Sequence, residues 1–296
     1  MIRSLSNNLF AALAFSLVIL SYHFWTLYGF QTEVLPELIG VFVLGIALNF
    51  LCRRFRIIGM KSHFTVVIFC LLASLIIDVL DLRALVAGGI WILAVYFSFR
   101  SWEDQDQAKD HLIYIGILLG IGQILDHHAF LLFFPFFILF YQNAVLKWNY
   151  YFLSLMFFFL VLIGYLSFLF AIDQFELAES LIPKFQFEYA QFWTSTISVF
   201  LPLVVLMLVI HLFNLRNYRF RYPNRSIKIN LLFGLQLLIA LLLMMLTSAS
   251  SLFILLAIPS SILLSVGFTF KQNSFFINAV FLALILVTGA AAYLFH

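Results

Sequence analysis

Charged residues are scarce in this 296-residue chain. Asp, Glu, Lys and Arg make up 10% of it, whereas hydrophobic residues make up 65% and the mean hydropathy is +1.10. A soluble domain is typically about a quarter charged and about half apolar. So little polar surface cannot cover a water-soluble globule, which excludes a soluble enzyme and a nucleic-acid-binding module. A lipid bilayer is the solvent that suits this composition.

Cysteine and proline are also scarce. Cys52 and Cys70 are the two cysteines, and both lie in apolar segments. Two such residues exclude a disulfide framework and a cysteine-based zinc site, so we expect them to be buried apolar fillers. Three of the six prolines, Pro135, Pro202 and Pro259, fall inside apolar runs. We expect these prolines to kink helices without ending them.

Long apolar runs dominate the rest of the chain. Windows of about 19 residues find eleven of them, and each is predicted to be a helix because backbone groups in lipid must be bonded internally. The first run is longer than the apolar region of a signal peptide, which favours a transmembrane helix. The predicted fold is one all-α integral membrane domain over residues 1–296, a polytopic bundle of about eleven helices. The runs are 9–30, 34–52, 64–80, 84–99, 112–125, 129–146, 150–172, 192–213, 229–247, 252–270 and 275–295.

The basic residues predict the orientation of this bundle. With a cytoplasmic N-terminus, 14 of the 16 Lys and Arg residues fall on the inner side, and only Arg83 and Lys184 fall outside. This split follows the positive-inside rule and puts the C-terminus outside a bacterial inner (plasma) membrane. The most basic inner segment is the cytoplasmic loop 214–228. We expect its charges to contact anionic lipid headgroups and not nucleic acid.

Acidic residues and short helices direct attention to the outer side. Runs 64–77 and 112–125 have 14 residues each before a carboxylate, which is about 21 Å of helix against a hydrocarbon core of about 30 Å. Their polar tips are predicted either to lie below the outer membrane surface, lining a funnel, or to be ordinary surface loops where the bilayer thins. The first tip contains Asp78, Asp81 and Arg83, and the second contains Gln123, Asp126, His127 and His128.

These tips carry residues suited to acid–base chemistry. A carboxylate in a partly desolvated pocket can act as a general base, and Arg83 can clamp a phosphate by two-point contact. Asp126, His127 and His128 could together hold a divalent metal, although adjacent ligands rarely converge on one ion. No other cofactor is evident. The outer segment 173–193 alternates apolar and charged residues. It is predicted to lie on the outer leaflet, where it either covers a lipid-substrate entrance or caps the bundle.

Residues 113–168 contain a glycine-bearing short helix, a polar outer tip, a Leu/Phe/Pro helix and a basic-Trp inner turn. The positions concerned are Gly116, Gly120, Gly122, Asp126, His127, His128, Pro135, Lys147 and Trp148. This stretch resembles the GT-C class of membrane glycosyltransferases. The whole chain also resembles an uncharacterised family of short bacterial polytopic membrane proteins that share this core.

The resemblance implies a glycosyltransferase that uses a polyprenyl-phosphate-linked sugar, or another glycolipid, at the outer face. GT-C enzymes use an acidic residue of the first outer loop, which is short here (31–37) and lacks paired acidic residues. A noncatalytic scaffold or accessory subunit with membrane-protein partners in an envelope complex is therefore an alternative, and a transporter is a third. The implied catalytic residues are Glu33, Asp78 and Asp126, and the implied substrate-binding residues are Glu37, Asp81, Arg83, Gln123, His127 and His128.

Overall fold

The structure, a computed structural model, is helical throughout the part of the chain that it describes, and no β-strand occurs in that part. The all-α prediction is therefore confirmed there. The predicted run 129–146 and most of 192–213 and 275–295 lie outside the described residues. The residues described are 5, 7–28, 34–57, 63–76, 80–104, 106–126, 148–181, 200, 202, 204–205, 224–246, 251–270, 281–288 and 290.

Eight α-helices and one 3-10 helix are described along most of their length. Residues 281–288 are helical as well. The last part of the predicted loop 214–228 already belongs to a helix, because the seventh helix begins at Asn224. The helices are α1 (Leu9–Tyr28), α2 (Leu35–Arg54), α3 (Phe64–Ser74), α4 (Leu82–Glu103), α5 (Ala108–Leu125), α6 (Trp148–Ala171), the 3-10 helix (Phe175–Leu181), α7 (Asn224–Leu246) and α8 (Ser251–Phe270).

Local side chains define several helix ends. Asn8 Oδ1 accepts the backbone N–H of Phe10 at 3.0 Å, and Asp81 Oδ1 accepts that of Ala84 at 2.7 Å. Each bond satisfies an N–H that has no partner inside the first turn of a helix. The C-terminal ends of α2 and α6 share a different structural feature, a residue with a positive φ. Arg56 and Asp173 there adopt the left-handed conformation, with φ of 54° and 58°.

Four helices, namely α2, α4, α5 and residues Asn149–Ala171 of α6, are long and apolar enough to cross a membrane. Many apolar side chains of α6 are exposed in the structure. Phe152 and Phe170 are 71% and 76% exposed, and Leu160 and Ile163 are exposed too. A contiguous apolar face of this kind is unstable in water. The structure is therefore compatible with a membrane protein.

Helix α3 is the innermost element of the described bundle. All eleven of its residues are buried, and α1, α2 and α8 pack around it. It ends at Ser74, short of the end of the predicted run 64–80, and the next two residues form turns of the i→i−3 kind. Eleven residues span about 16 Å. Surrounding protein, and not lipid, covers this helix, so its length need not match a bilayer.

Neighbouring contacts give the relative directions of several helices. Helices α2 and α4 run parallel, because Leu85 lies beside Gly40 and Gly88 lies beside Leu44. Helices α2 and α3 run antiparallel, since Asn49 near the end of α2 bonds His63 just before α3. Each direction matches strict alternation between two sides of a membrane.

Two further pairs run parallel although they are distant in sequence. Gly116 and Gly120 of α5 face residues Ser154 and Val161 of α6, in the same order. The N-terminal helix and the helical segment 281–288 are also parallel. The Phe15 and Phe281 rings lie 6.2 Å apart. Further along both segments, a ring nitrogen of His23 is hydrogen-bonded to the backbone carbonyl of Thr288.

Candidate functional site

The predicted site residues divide into those that the structure describes and those that it does not. Glu33, Asp78, His127 and His128 lie outside the described residues. The five others, Glu37, Asp81, Arg83, Gln123 and Asp126, all lie at the ends of α2, α4 and α5 that are predicted to face outward.

The C-terminal end of α5 is polar and buried. Gln123 and Asp126 are 8% and 5% exposed. Asp126 follows the last helical residue, and its backbone N–H donates to the carbonyl of Gly122 at 2.7 Å. The side-chain oxygen Oε1 of Gln123 is buried and has no hydrogen-bond partner in the described structure. Leaving such an acceptor unpaired costs about 1–3 kcal/mol, so this end has a capacity for one more donor.

The last residue of the 3-10 helix contacts this polar end. Gln123 Nε2 donates to the carbonyl of Leu181 at 3.3 Å. The bond joins the second polar tip to the predicted amphipathic segment 173–193, of which residues 173–181 are described. Phe175 and Leu177 of that segment are exposed. An apolar surface thus adjoins a buried polar one at this end of the bundle.

Glu37, Asp81 and Arg83 form a second group, at the N-terminal ends of α2 and α4. Glu37 is in the first turn of α2, where the helix dipole favours a carboxylate, and its Oε2 atom is buried without a partner in the described structure. Asp81 is engaged as the cap of α4 and Arg83 is exposed. Within the described ranges no salt bridge joins Glu37 to Arg83.

A third polar group, which the sequence analysis missed, lies at the opposite end of the bundle. His63 precedes α3, is 6% exposed, and sits between two side chains of α2. Its Nε2 atom is 3.2 Å from Arg53 Nη1, and its Nδ1 atom is 3.2 Å from the Asn49 amide. The polar Asn49 within apolar run 34–52 was the signal that could have revealed this group, because polar residues inside spans usually have a role.

The protonation of His63 follows from these partners. Arg53 can only donate, so Nε2 must accept and Nδ1 must carry the proton. That proton needs an acceptor, and Asn49 Oδ1 otherwise has none. The structure has Asn49 Nδ2 at this position, and exchanging the amide oxygen and nitrogen puts Oδ1 against Nδ1, where it accepts this proton. Burial, and then the charge of Arg53, lower the pKa of His63, which agrees with a neutral ring.

The same end carries the salt bridge between the ends of α2 and α4. Arg54 Nη2 is 3.8 Å from Glu103 Oε2. Arg56, two residues later, occupies the left-handed position of a Schellman turn. There the N–H of Ile57 bonds the carbonyl of Cys52, and that of Arg56 bonds the carbonyl of Arg53.

Among the described residues, no three His, Cys, Asp or Glu side chains lie close enough together to hold a metal ion. Of the predicted metal set, His127 and His128 lie outside the described ranges and Asp126 lies within them. Cys52 and Cys70 are free and buried, which confirms their prediction as apolar fillers.

Comparison with known proteins does not extend these findings. No protein family, curated protein or solved structure matches the chain.

Proposed function

We propose that the chain is a multi-pass protein of the bacterial inner membrane, with eleven spans, a cytoplasmic N-terminus and an outer C-terminus. Helix direction supports this topology. The pairs that are predicted to cross the membrane the same way, α2 with α4, α5 with α6 and α1 with 281–288, run parallel. The pair α2 and α3, predicted to cross in opposite senses, runs antiparallel.

We further propose that its outer end handles a polyprenyl-phosphate-linked sugar or another glycolipid, as a GT-C-like glycosyltransferase. The observation that carries this proposal is the buried polar end of α5, where Gln123 is bonded to the last residue of the 3-10 helix. A sugar hydroxyl is the kind of donor that Gln123 Oε1 lacks, and Asp126 supplies a carboxylate beside it. The exposed Phe175 and Leu177 next to this end would contact a lipid chain.

The remaining predicted residues take roles that follow from their chemistry. Glu33, Asp78 or Asp126 would act as the base that accepts a proton from the acceptor hydroxyl. Arg83 is exposed and has no salt bridge in the described structure, so its guanidinium can contact the carrier phosphate. Opening of the 3-10 helix would admit the substrate, because Asp126 is covered as the structure stands.

The test is an envelope-glycan profile of cells in which the chain is replaced by variants. Glu33→Ala, Asp78→Ala and Asp126→Ala should each remove the glycan product that wild-type protein restores, at equal protein level in the membrane. Asp110→Ala is the matched control, since this acidic residue is exposed at the opposite end of α5 from the proposed site. A wild-type glycan profile in all three variants would overturn the enzyme proposal.

A noncatalytic scaffold is the second candidate, and the closed outer end favours it. Gln123 donates a hydrogen bond to the end of the 3-10 helix, as expected of a contact that stabilises the bundle. A scaffold predicts stable co-purification with envelope proteins and normal function of the three alanine variants. Disruption of segment 102–110 or of segment 173–193 would then impair function more than loss of Asp126.

A further inference from the structure

Three arginines lie close together at the end of α2 that is predicted to face the cytoplasm. Arg53, Arg54 and Arg56 are all exposed. The positive-inside rule and the negative end of the helix dipole both favour basic residues here. Neither effect requires an arginine to be held in one orientation. In the structure, however, a specific hydrogen bond with His63 fixes the orientation of the Arg53 guanidinium.

Arg53 is held by a chain of buried groups. Asn49 orients His63, and His63 Nε2 accepts one N–H of Arg53 at 3.2 Å. An exposed arginine normally loses considerable side-chain entropy when it is fixed by a ligand. The contact with His63 fixes the guanidinium in advance and occupies one of its five N–H donors. The other donors remain for an anion.

Two further observations also favour the binding of an anion at this end of α2. Arg56 adopts φ of 54°, a conformation that costs a residue with a Cβ about 1–2 kcal/mol and that glycine adopts freely. Such strain is retained mainly where the side chain has a task. Phe50, one helical turn before Arg53 and Arg54, is 60% exposed, so an apolar surface adjoins the cations.

We propose that Arg53, with Arg54 and Arg56, binds the phosphate group of an anionic lipid in the inner leaflet, and that His63 and Asn49 are positioning residues for Arg53. A guanidinium matches a phosphate through two parallel hydrogen bonds. Phe50 provides the surface on which the first part of an acyl chain lies. Glu103, the partner of Arg54 at 3.8 Å, is the internal anion that the lipid phosphate would displace.

The experiment is a titration of the purified full-length protein, in neutral detergent, with short-chain phosphatidylglycerol. Binding is measured by native mass spectrometry and by the rise in unfolding temperature that a bound ligand causes. Arg53→Gln should weaken the affinity by about tenfold or more, since hydrogen bonds to charged groups are lost. Arg53→Lys should lose most of the affinity too, because an ammonium lacks the two-point geometry.

Arg100→Gln is the matched control for charge. Arg100 lies in the last turn of α4 at the same end of the bundle, and its loss removes the same unit charge. The affinity of this variant for the lipid should change by less than about twofold, as for one charge that does not contact the phosphate. Full affinity in Arg53→Lys, or an equal loss in Arg100→Gln, would show attraction by net charge alone and overturn the proposal.

His63 is tested by a pair of variants. His63→Phe removes the acceptor and should weaken binding as much as Arg53→Gln does. His63→Gln keeps a carbonyl oxygen that can accept from Arg53 and should restore most of the affinity. Equal loss in both variants would mean that His63 supports the fold only. Inorganic phosphate and short-chain phosphatidylcholine are the competing probes. Displacement by phosphate at equal concentration would overturn the assignment to a lipid.

Discussion

Gly116 of α5 faces the backbone carbonyl of Ser154 of α6 so closely that a Cβ atom on Gly116 would collide with the carbonyl oxygen. One turn later, a Cβ on Gly120 would lie 2.7 Å from Val161 Cβ. Small residues spaced by four allow two helix backbones to approach closely in a membrane. These two glycines therefore determine how near the parallel helices α5 and α6 can pack.

Replacement of either glycine should separate α5 from α6. We expect Gly116→Ala and Gly120→Ala each to lower the free energy of unfolding by about 1–3 kcal/mol, because the backbone of α6 cannot move aside without cost. Thermal unfolding in detergent measures the change. Gly164→Ala is the control, since no atom lies within 4 Å of its Cβ position. It should be neutral or stabilising by up to about 1 kcal/mol. Equal effects at all three positions would contradict the close packing.

The contact between Gln123 and Leu181 should hold the 3-10 helix in place. Gln123→Ala removes that hydrogen bond, for which we expect a loss of about 1 kcal/mol and faster proteolytic cleavage between Phe175 and Leu181. Limited proteolysis of the purified protein measures the rate. Gln107→Ala is the control, because Gln107 is exposed at the other end of the same helix. Unchanged cleavage in Gln123→Ala would show that other contacts hold this segment.

The proposed orientation can be tested by cysteine labelling in intact cells. Asp173→Cys should react with a membrane-impermeant thiol reagent added outside, and Asp110→Cys only after the membrane is permeabilised. Both positions are exposed, and the native cysteines Cys52 and Cys70 are fully buried, so they provide an unreactive background. Labelling in the reverse pattern would invert the proposed topology.

The left-handed residues at two helix ends make a matched pair. Arg56→Gly should raise the free energy of unfolding by about 1 kcal/mol, because glycine has no Cβ penalty at φ of 54°. Asp173→Gly should raise the free energy of unfolding by less, since Asp tolerates the left-handed backbone region better than Arg does. If Arg56 binds lipid as proposed, Arg56→Gly should combine higher stability with weaker lipid binding. A loss of stability on that substitution would contradict the described turn.

Acid should destabilise the protein through His63. Its pKa in the folded state is lowered from the ordinary value near 6.5, so the unfolded chain binds its proton more readily. The stabilisation is therefore complete above about pH 6.5 and is lost progressively as the pH falls through the lowered folded pKa. Melting temperatures across this pH range measure the effect. His63→Gln has no titrating ring and should show a smaller decline. An identical decline in both proteins would exclude His63 as its source.

Helix positions were largely predictable from the sequence because lipid solvation imposes long uninterrupted apolar runs. The first run, for example, begins at Leu9 in prediction and structure alike. Helix α3 was the exception. Its predicted run extended over residues 64–80, but the helix ends at Ser74, where local turns follow, and neighbouring helices enclose it. Hydropathy alone does not distinguish a residue buried in lipid from one buried in protein.

The candidate site was less predictable than the fold. Sequence spacing directed attention to the polar tips, and the structure describes Gln123 and Asp126 as buried there. Sequence spacing could not predict the contact of Gln123 with Leu181 or that of Asn49 with His63, because both contacts join separate elements. Asp81 was predicted to bind substrate, and its carboxylate is engaged as the cap of α4.

Composition by itself determined that this chain needs an apolar solvent, since its 10% of charged residues cannot cover a globule in water. The order of charges along the chain predicted an orientation as well. Only the tertiary structure decided which polar groups meet. Hydrogen bonds such as that from Arg53 to His63 depend on how two helices pack, to within a fraction of an ångström, and hydropathy carries no information about that packing.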